Sequence, residues 1–117
     1  MTGFLTIERR GRIAILTMAK PESMNAIGTH QDCEDIVAAL TALSEDREVS
    51  AIILTGSGKA FSAGGNLKAM AARTGIGVLD QPDSTRSNYR KGVQRVIRAL
   101  MDCEIPMIAA VNGHAIG

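Results

Sequence analysis

The segment KAFSAGGNL, at residues 59–67, holds the residue types of this chain whose spacing could support chemistry. Its run of small residues, Ala63, Gly64 and Gly65, lets a ligand approach the backbone closely. A helix that begins near Gly65 would direct unpaired N–H groups and the positive end of its dipole toward that ligand. Such donors stabilise an oxygen that gains negative charge, as in a thioester enolate. On composition alone, an ordinary glycine-rich helix start explains the segment more often than a binding site does.

The stretch before this segment partly resembles two phosphate-binding motifs, but its residue spacing excludes both. A phosphate loop would need glycine at Ile53 and Ser or Thr at Ala60. A dinucleotide-binding fingerprint would need its third glycine at Phe61. Gly56 and Gly58 therefore indicate the end of a strand rather than a phosphate site.

The other reactive side chains do not converge on a site. His30 falls in the first turn of a helix and should face solvent, whereas His114 could equally line a site or support the fold. With two histidines and no spaced Cys or carboxylate partners, we predict no metal site. Cys33 and Cys103 lie on or beside apolar helix faces, so we expect packing rather than nucleophilic attack.

The carboxylates are read as solvated charges. None of them lies within residues 59–67, so none is an obvious general acid or base. Nine of the twelve are assigned in this way: Glu34, Asp35, Glu45, Asp46, Glu48, Asp80, Asp83, Asp102 and Glu104.

The bulk composition excludes several classes of protein. At 117 residues with 45% apolar content, the chain can form at most one domain with a packed core. A net charge of +1 and three aromatic residues, Phe4, Phe61 and Tyr89, give no reason to expect a nucleic-acid or membrane partner. No signal peptide or membrane-length apolar run is present, so a cytoplasmic setting with free thiols is expected, and a disulfide is the less frequent alternative.

The first half of the chain shows strand and helix patterns. Residues 4–9 and 12–18 predict two strands, joined by a tight hairpin at Arg10 and Gly11. A loop at residues 20–25 follows, since Pro21 cannot donate to a ladder. Thr29 is then the predicted N-cap of a helix that runs to about Leu43. The apolar stripe of that helix is Cys33, Ile36, Val37, Leu40 and Leu43.

The second half continues the alternation, which gives the order β-β-α-β-α-α-β. Residues 51–55 predict a strand covered on both faces. A short helix is expected at residues 66–73, a mobile loop at 74–87, and a helix at 86–102 that Pro106 ends. Met107 then opens a buried strand that reaches Val111. The predicted stripe of the second long helix is Tyr89, Val93, Val96, Ile97, Leu100 and Met101.

Four segments, in this order, resemble the crotonase family, the enoyl-CoA hydratases and isomerases of fatty-acid metabolism. KPESMNA at residues 20–26 is similar to the family's K/R-P-x-x-x-N-A loop, and AIILTG at 51–56 to the strand after its first helix. KAFSAGGNL at 59–67 resembles K-A-F-S/C-A-G-x-D-L. PMIAAVNGHAIG at 106–117 is similar to P-x-I-A-A-V-x-G-x-A-x-G. The match covers nearly the whole chain, and the last two motifs are specific in combination.

The resemblance implies a fold, a substrate and an assembly. The fold is α/β, a crotonase-like spiral of ββα turns, and residues 1–117 would form the N-terminal part of a single domain. The substrate is an acyl-CoA thioester, with coenzyme A bound as part of it and no metal or redox cofactor. The assembly is a homotrimer or a hexamer.

The resemblance also implies roles for individual residues. The backbone N–H of Ala63 is one oxyanion donor, and the other is expected at the residue just after Gly117. The loop that contacts the nucleotide part of CoA is matched by Glu22, Ser23, Met24 and Ala26. The wall of the acyl and pantetheine tunnel is matched by Phe61, Gly64, Gly65 and Leu67. Asn66 and Gly113 complete the predicted substrate-binding set.

Two departures from the family pattern bear on activity. Asn66 replaces the commoner Asp, and its amide can still cap a helix. The family's catalytic carboxylates lie shortly after the last motif, beyond Gly117. A hydratase uses two of them and an isomerase can manage with one, so both chemistries stay open. The chain has less than half the usual family length, and we expect a truncated form that is inactive by itself. The alternatives are a non-catalytic acyl-CoA-binding or assembly subunit, or a fragment that folds only with its complement.

Overall fold

A four-stranded sheet lies at the centre of the protein, in a computed structural model that describes residues 3–65 and 92–116. Its strands, in spatial order, are β1 (Leu5–Arg10), β2 (Ile13–Met18), β3 (Ala51–Gly56) and β5 (Met107–Ala109). A second, two-stranded sheet pairs β4 (Ala60–Ser62) with β6 (His114–Ala115). The helices of the described ranges are α1 (His30–Glu45) and α2 (Val93–Asp102), and neither is long and apolar enough to cross a membrane.

The N-terminal hairpin confirms the predicted pair of strands. β1 and β2 are antiparallel, with Leu5 opposite Met18 and Arg10 opposite Ile13. The two residues between the strands are Gly11 and Arg12, so the turn lies one position later than predicted. Gly11 has φ of 61°, a conformation that glycine adopts without steric cost. The hairpin therefore follows from a local signal.

Helix α1 begins where its cap residues predict. The Thr29 side chain accepts from the N–H of Asp32, and the Asp32 carboxylate accepts from the N–H of Thr29, which completes a capping box. The helix ends at Glu45, two residues beyond the predicted Leu43. Its predicted stripe faces the core, with Cys33, Ile36, Leu40 and Leu43 buried and Val37 packed at the margin.

The parallel part of the sheet follows the α1 crossover. β3 pairs in parallel with β2, from Ile13 opposite Ala51 to Met18 opposite Gly56. β5 pairs in parallel with β3. Ile52 is fully buried, whereas its neighbours in β3 are half-buried, so the prediction of a strand covered on both faces holds for Ile52 only.

Helix α2 packs against α1 through a face that only partly overlaps the predicted one. Val96 is buried and Val93 and Leu100 pack against the core, as predicted. Ile97 and Met101 are 50% and 80% exposed, so their assignment to the core stripe was wrong. The reason is rotation: contact with α1 selects Val93, Val96, Ala99 and Leu100, and this arc turns Ile97 and Met101 outward.

Strand β5 is also less buried than predicted. Ile108 is 60% exposed and Val111 57% exposed, so a buried strand over residues 107–111 was wrong. β5 is the last strand of its sheet, and β3 pairs with one edge of it. Within the described part of the chain, no element covers its outer face. The predicted helix at 66–73, loop at 74–87 and start of the helix at 86–91 lie outside the described residues.

Candidate functional site

The loop before α1 is closed by its own hydrogen bonds. A short 3₁₀ turn spans Pro21–Ser23, and Lys20 opens it. The carbonyl of Lys20 accepts from the N–H of Asn25 at 2.9 Å, and the N–H of Lys20 donates to Asn25 Oδ1 at 2.9 Å. Met24 and Asn25 have φ of 55° and 56°, in the left-handed region that asparagine tolerates better than most residues. The Asn of the loop motif is therefore required by both its backbone and its side chain.

The buried side chain of Asn25 ties this loop to the turn before β4. Its Nδ2 donates to the carbonyls of Ser57 and Ala60, each at 3.0 Å. The carbonyl of Asn25 in turn accepts from the hydroxyl of Ser62 at 2.8 Å. Asn25 is fully buried, so an unpaired carbonyl here would be costly. The loop and the strand that leads into the glycine-rich segment thus form one rigid unit.

The chain leaving β4 continues beside the same loop. The N–H of Ala63 donates to the carbonyl of Met24 at 2.9 Å, and the N–H of Ile27 donates to the carbonyl of Gly64 at 2.6 Å. The N–H of Gly64 donates to the Ser62 hydroxyl at 3.1 Å. Gly64 has φ of 77°, which favours glycine at this turn. Backbone pairing with the loop therefore holds the N–H of Ala63 and the carbonyl of Gly64, and the Ser62 side chain holds the N–H of Gly64.

Gly65 differs from the two residues before it. It forms an isolated parallel bridge with Ile27 and is exposed. Among the hydrogen bonds between described residues, none uses the N–H of Gly65. Of three consecutive amides, those of Ala63 and Gly64 have acceptors within the described part of the chain, and that of Gly65 has none there.

The segment after β5 reaches the same turn from the other side. Asn112 Oδ1 accepts from the N–H of Gly56 at 3.0 Å, and its Nδ2 donates to the carbonyls of Gly58 and Ala60, each at 3.2 Å. Gly113 follows, and a Cβ there would lie 2.0 Å from the carbonyl oxygen of Lys59. A side chain at Gly113 is therefore excluded by the approach of the two segments.

The charged groups near the loop are paired. Lys20 Nζ lies 2.8 Å from Asp32 Oδ1 and 6.0 Å from the ring centroid of Phe4. The other carboxylate oxygen of Asp32 accepts from the N–H groups of Gly28 and Thr29 at 3.0 and 3.2 Å. Asp32 is buried and all its bonds support the start of α1, so the pair has a structural role.

The thiol of Cys33 is unreactive by its environment. Burial, with the negative charge of Asp32 beside it, raises the pKa of Cys33 to about 11. Both Cys33 and Cys103 are free thiols, as predicted. A groove of about 410 Å³ lies between α1 and α2 and includes Cys103, but it holds none of the predicted site residues.

The order of these elements matches one family of known proteins. A family model described as enoyl-CoA hydratase/isomerase matches residues 8–117. The chain belongs to the enoyl-CoA hydratase/isomerase family. A probable enoyl-CoA hydratase of Rhizobium meliloti (strain 1021) is 37% identical over 113 residues, and the crotonyl-CoA hydratase of Syntrophomonas wolfei is 37% identical over 120 residues. Each alignment covers 97% of this chain and 40% of the relative.

Solved structures of the family share this fold. A probable enoyl-CoA hydratase/isomerase from Mycobacterium abscessus superposes with a TM-score of 0.75 at 32% identity, over 95% of this chain and 39% of that one. The enoyl-CoA hydratase of Mycobacterium smegmatis gives a TM-score of 0.78 at 29% identity, over 94% and 40%. The predicted α/β crotonase fold is confirmed, and the chain spans about 40% of its relatives' length.

The N–H of Ala63 already has an acceptor within the fold, which bears on its predicted role. Ala63 was predicted as an oxyanion donor of the enoyl-CoA hydratase/isomerase type, but its N–H is already bonded to the carbonyl of Met24. A donor that is already bonded within the fold cannot also bind a ligand oxygen without weakening that bond. The sequence motif could not reveal this, because the bond depends on where the loop before α1 lies. Among residues 63–65, only the N–H of Gly65 has no acceptor within the described ranges.

The remaining predicted site residues fall into three groups. In the loop, Glu22 and Met24 are exposed, Ser23 is half-buried and Ala26 is buried. Phe61 is half-buried and packs against the core, which limits how much of it a ligand could reach. Asn66, Leu67 and Gly117 lie outside the described residues.

Sequence reasoning missed the side chains that hold residues 56–64 in place. Asn25 was noted only as a member of a loop, and Asn112 and Ser62 only as motif positions. All three bind backbone groups of residues 56–64. The available signal was the presence of asparagine at both motifs, since its amide can donate and accept at once.

Proposed function

We propose that this chain carries the enolate-stabilising half of a CoA-thioester hydratase or isomerase site, with the backbone N–H of Gly65 as one oxyanion donor. One observation supports it above all. The amides of Ala63 and Gly64 have acceptors within the fold, whereas that of Gly65 has none among the described residues, and Gly65 is an exposed residue. An exposed N–H at a glycine is open to the close approach of a thioester oxygen.

The chemistry explains why such a donor matters. Hydration adds the hydroxyl of water to the β-carbon of an enoyl thioester and a proton to the α-carbon. Between these steps the thioester oxygen carries negative charge, and an isomerase passes through the same enolate. A preorganised N–H aimed at that oxygen stabilises the charge as it develops. Residues 56–65 contain no Asp or Glu, so this segment contributes electrostatic stabilisation rather than acid or base.

The rest of the proposal follows the family resemblance. The exposed side of the loop at residues 22–26 is placed against the CoA nucleotide, with the second donor just after Gly117. The chain would form the N-terminal part of one crotonase-like domain in a cytoplasmic homotrimer or hexamer. Coenzyme A is part of the substrate, and no metal or redox cofactor takes part.

A titration of the ¹⁵N-labelled chain tests the assignment of Gly65. Acetoacetyl-CoA is a suitable probe because its enolate form resembles the charged intermediate, and free CoA is the matched ligand without the thioester. We expect the Gly65 amide resonance to shift when acetoacetyl-CoA is added and to remain unchanged when free CoA is added. Resonances of residues 22–26 should move with both. A thioester-specific shift at Ala63 instead would return the role to that residue.

Two substitutions at the same position separate the N–H from the side chain. Gly65→Pro removes the donor, and Gly65→Ala retains it. We expect the proline variant to bind acetoacetyl-CoA at least about tenfold more weakly than the alanine variant, since one oxyanion donor contributes about 10²–10³ in rate where catalysis occurs. Equal binding by the two variants would contradict the proposal. Turnover of crotonyl-CoA distinguishes an enzyme from a non-catalytic acyl-CoA binder on the same fold.

A further inference from the structure

The pairing of β4 with β6 is short and irregular. Ala60 lies opposite His114 and Ser62 lies opposite Ala115, so Phe61 is one extra residue on β4. Beyond this pair, the N–H of Ile116 donates to the carbonyl of Ser62 at 2.9 Å. A ladder of two residue pairs with an irregularity between them specifies its register weakly. Another contact is needed to hold the two segments in one alignment.

The side chain of Asn112 supplies that contact. It stands two residues before β6 and binds three backbone groups of the chain from β3 to β4, those of Gly56, Gly58 and Ala60. All three bonds end before the irregular position, Phe61. They therefore fix where β6 starts along β4, independently of the ladder that follows.

The neighbouring glycine makes the alignment tight. A Cβ at Gly113 would lie 2.0 Å from the carbonyl oxygen of Lys59 and 3.3 Å from the Cα of Ala60. The backbone of Gly113 thus packs directly on Lys59 and Ala60, and Ala60 is also bound by Asn112. A shift of β6 by one residue would place His114 in this space, where its side chain cannot fit.

We propose that Asn112 is a positioning residue that sets the register between β4, which leads to Gly65, and β6, which leads through Ile116 toward the predicted second donor. The inference rests on the proposed thioester site, because the register matters for function only if both segments supply donors to one oxygen. Two donors must lie within hydrogen-bond distance of the same atom, so a slip of one residue, about 3.3 Å in a parallel strand, would separate them.

Asn112→Asp is the sharpest substitution, because it keeps the size of the side chain. The carboxylate still accepts from the N–H of Gly56, but it presents an oxygen to the carbonyls of Gly58 and Ala60 in place of an amide donor. Ala60 retains the bond from Asn25, so the turn keeps one anchor. The variant thus weakens the register contact while leaving the loop before α1 in place.

Thr55→Val is the matched control. The Thr55 hydroxyl donates to the carbonyl of Ala110 at 2.8 Å, two residues from Asn112, and does not bind β4. Its replacement removes one side-chain hydrogen bond in the same region at nearly constant volume. Any effect that both variants share reflects a general loss of stability, whereas an effect of Asn112→Asp alone reports on the register.

Two measurements on the 117-residue chain test the proposal. We expect Asn112→Asp to speed amide hydrogen exchange of Ile116 by about tenfold over Thr55→Val, since the loss of a bond to a backbone carbonyl changes an equilibrium by about that factor. We also expect it to weaken binding of acetoacetyl-CoA and leave binding of free CoA unchanged. Equal exchange of Ile116 in the two variants, or equal weakening of both ligands, would overturn the proposal.

The same data keep the two proposals apart. If the wild-type chain shows no thioester-specific shift at Gly65, the proposed function fails, and the exchange of Ile116 still decides whether Asn112 holds the register. If the shift is present in the wild type and persists unchanged in Asn112→Asp, the proposed function stands and the positioning role fails.

Discussion

Asn25 and Asn112 donate to the same carbonyl oxygen, that of Ala60, at 3.0 and 3.2 Å. They come from opposite parts of the chain, 35 residues before Ala60 and 52 residues after it. The first residue of β4 is therefore held from two sides by side-chain amides. Because Gly65 comes three residues after the end of β4, these two residues help to determine where its N–H lies relative to the loop before α1 and to β6.

Asn25→Ala should strongly destabilise the protein. The variant leaves the carbonyl of Ser57 without its side-chain donor, and the N–H of Lys20 without Asn25 Oδ1. Because Asn25 is fully buried, we expect a loss of about 3 kcal/mol in the free energy of unfolding, measured by urea denaturation.

The control for Asn25 is the exposed Gln31, whose amide binds Asp35 at 2.8 Å on the surface of α1. Gln31→Ala should change the free energy of unfolding by less than about 0.5 kcal/mol. Similar losses for the two variants would show that the buried amide contributes no more than a surface contact.

Gly113→Ala should disrupt the approach of β6 to β4. The added methyl group would lie 2.0 Å from the carbonyl oxygen of Lys59, so the backbone must move. We expect a loss of about 2–3 kcal/mol in the free energy of unfolding, within the usual range for overpacking. Gly11→Ala is the comparison, because a Cβ there meets no atom within 4 Å and only its φ of 61° opposes the change. Its loss should be near 1 kcal/mol, and a larger loss for Gly11→Ala would contradict the packing account.

Lys20→Met should destabilise the start of α1. The substitution keeps the apolar stem of Lys20 but removes the charge 2.8 Å from Asp32, whose side chain is 4% exposed. Removal of one partner of a fully buried pair costs about 3–5 kcal/mol, and Lys20 is 35% exposed, so we expect about 2 kcal/mol.

The exposed pair of Arg10 and Glu8 provides the control for Lys20. Their side chains are 73% and 56% exposed at the same 2.8 Å separation. Arg10→Met should change the free energy of unfolding by less than about 0.5 kcal/mol. A second check is Lys20→Met combined with Asp32→Asn, which should recover part of the loss. If Lys20→Met and Arg10→Met lose the same free energy of unfolding, the pair of Lys20 and Asp32 is not a buried, structural one.

Cys33 should resist thiol reagents until the protein unfolds. Its pKa is raised from 9.0 to about 11, so the contribution of this thiol to stability is complete below pH 9 and is lost as the pH rises toward 11. At about pH 8, a disulfide reagent should label Cys103 in the native chain and Cys33 only at the rate of opening. Cys103→Ser should remove the fast phase of labelling. Rapid labelling of that variant would show that Cys33 is accessible in the native chain.

Local signals were sufficient for the elements that depend on neighbours in sequence. The hairpin follows from alternation and Gly11, and α1 follows from the Thr29 cap and its apolar stripe. These features need only contacts within a few residues, so composition and spacing determine them. The same holds for the family, because the four motifs stand in order along the chain.

Predictions failed where the outcome depended on distant partners. Ile97 and Met101 have helical spacing, but contact of α2 with α1 selected another face. Ile108 is apolar, but its strand lies at a sheet edge. In α2 and β5 the apolar residues extend beyond the side that finds a neighbour, so their pattern alone could not select that side.

The sequence by itself determined the family, the hairpin, the capped helix and the position of the glycine-rich segment. Only the tertiary structure decided which amides of that segment are used within the fold. The N–H of Ala63 donates to Met24 and that of Gly64 to Ser62, while that of Gly65 finds no acceptor among residues 3–65 and 92–116. The physical reason is that a hydrogen bond consumes a donor, and the acceptor for Ala63 lies in a loop that comes beside β4 only when the chain is folded.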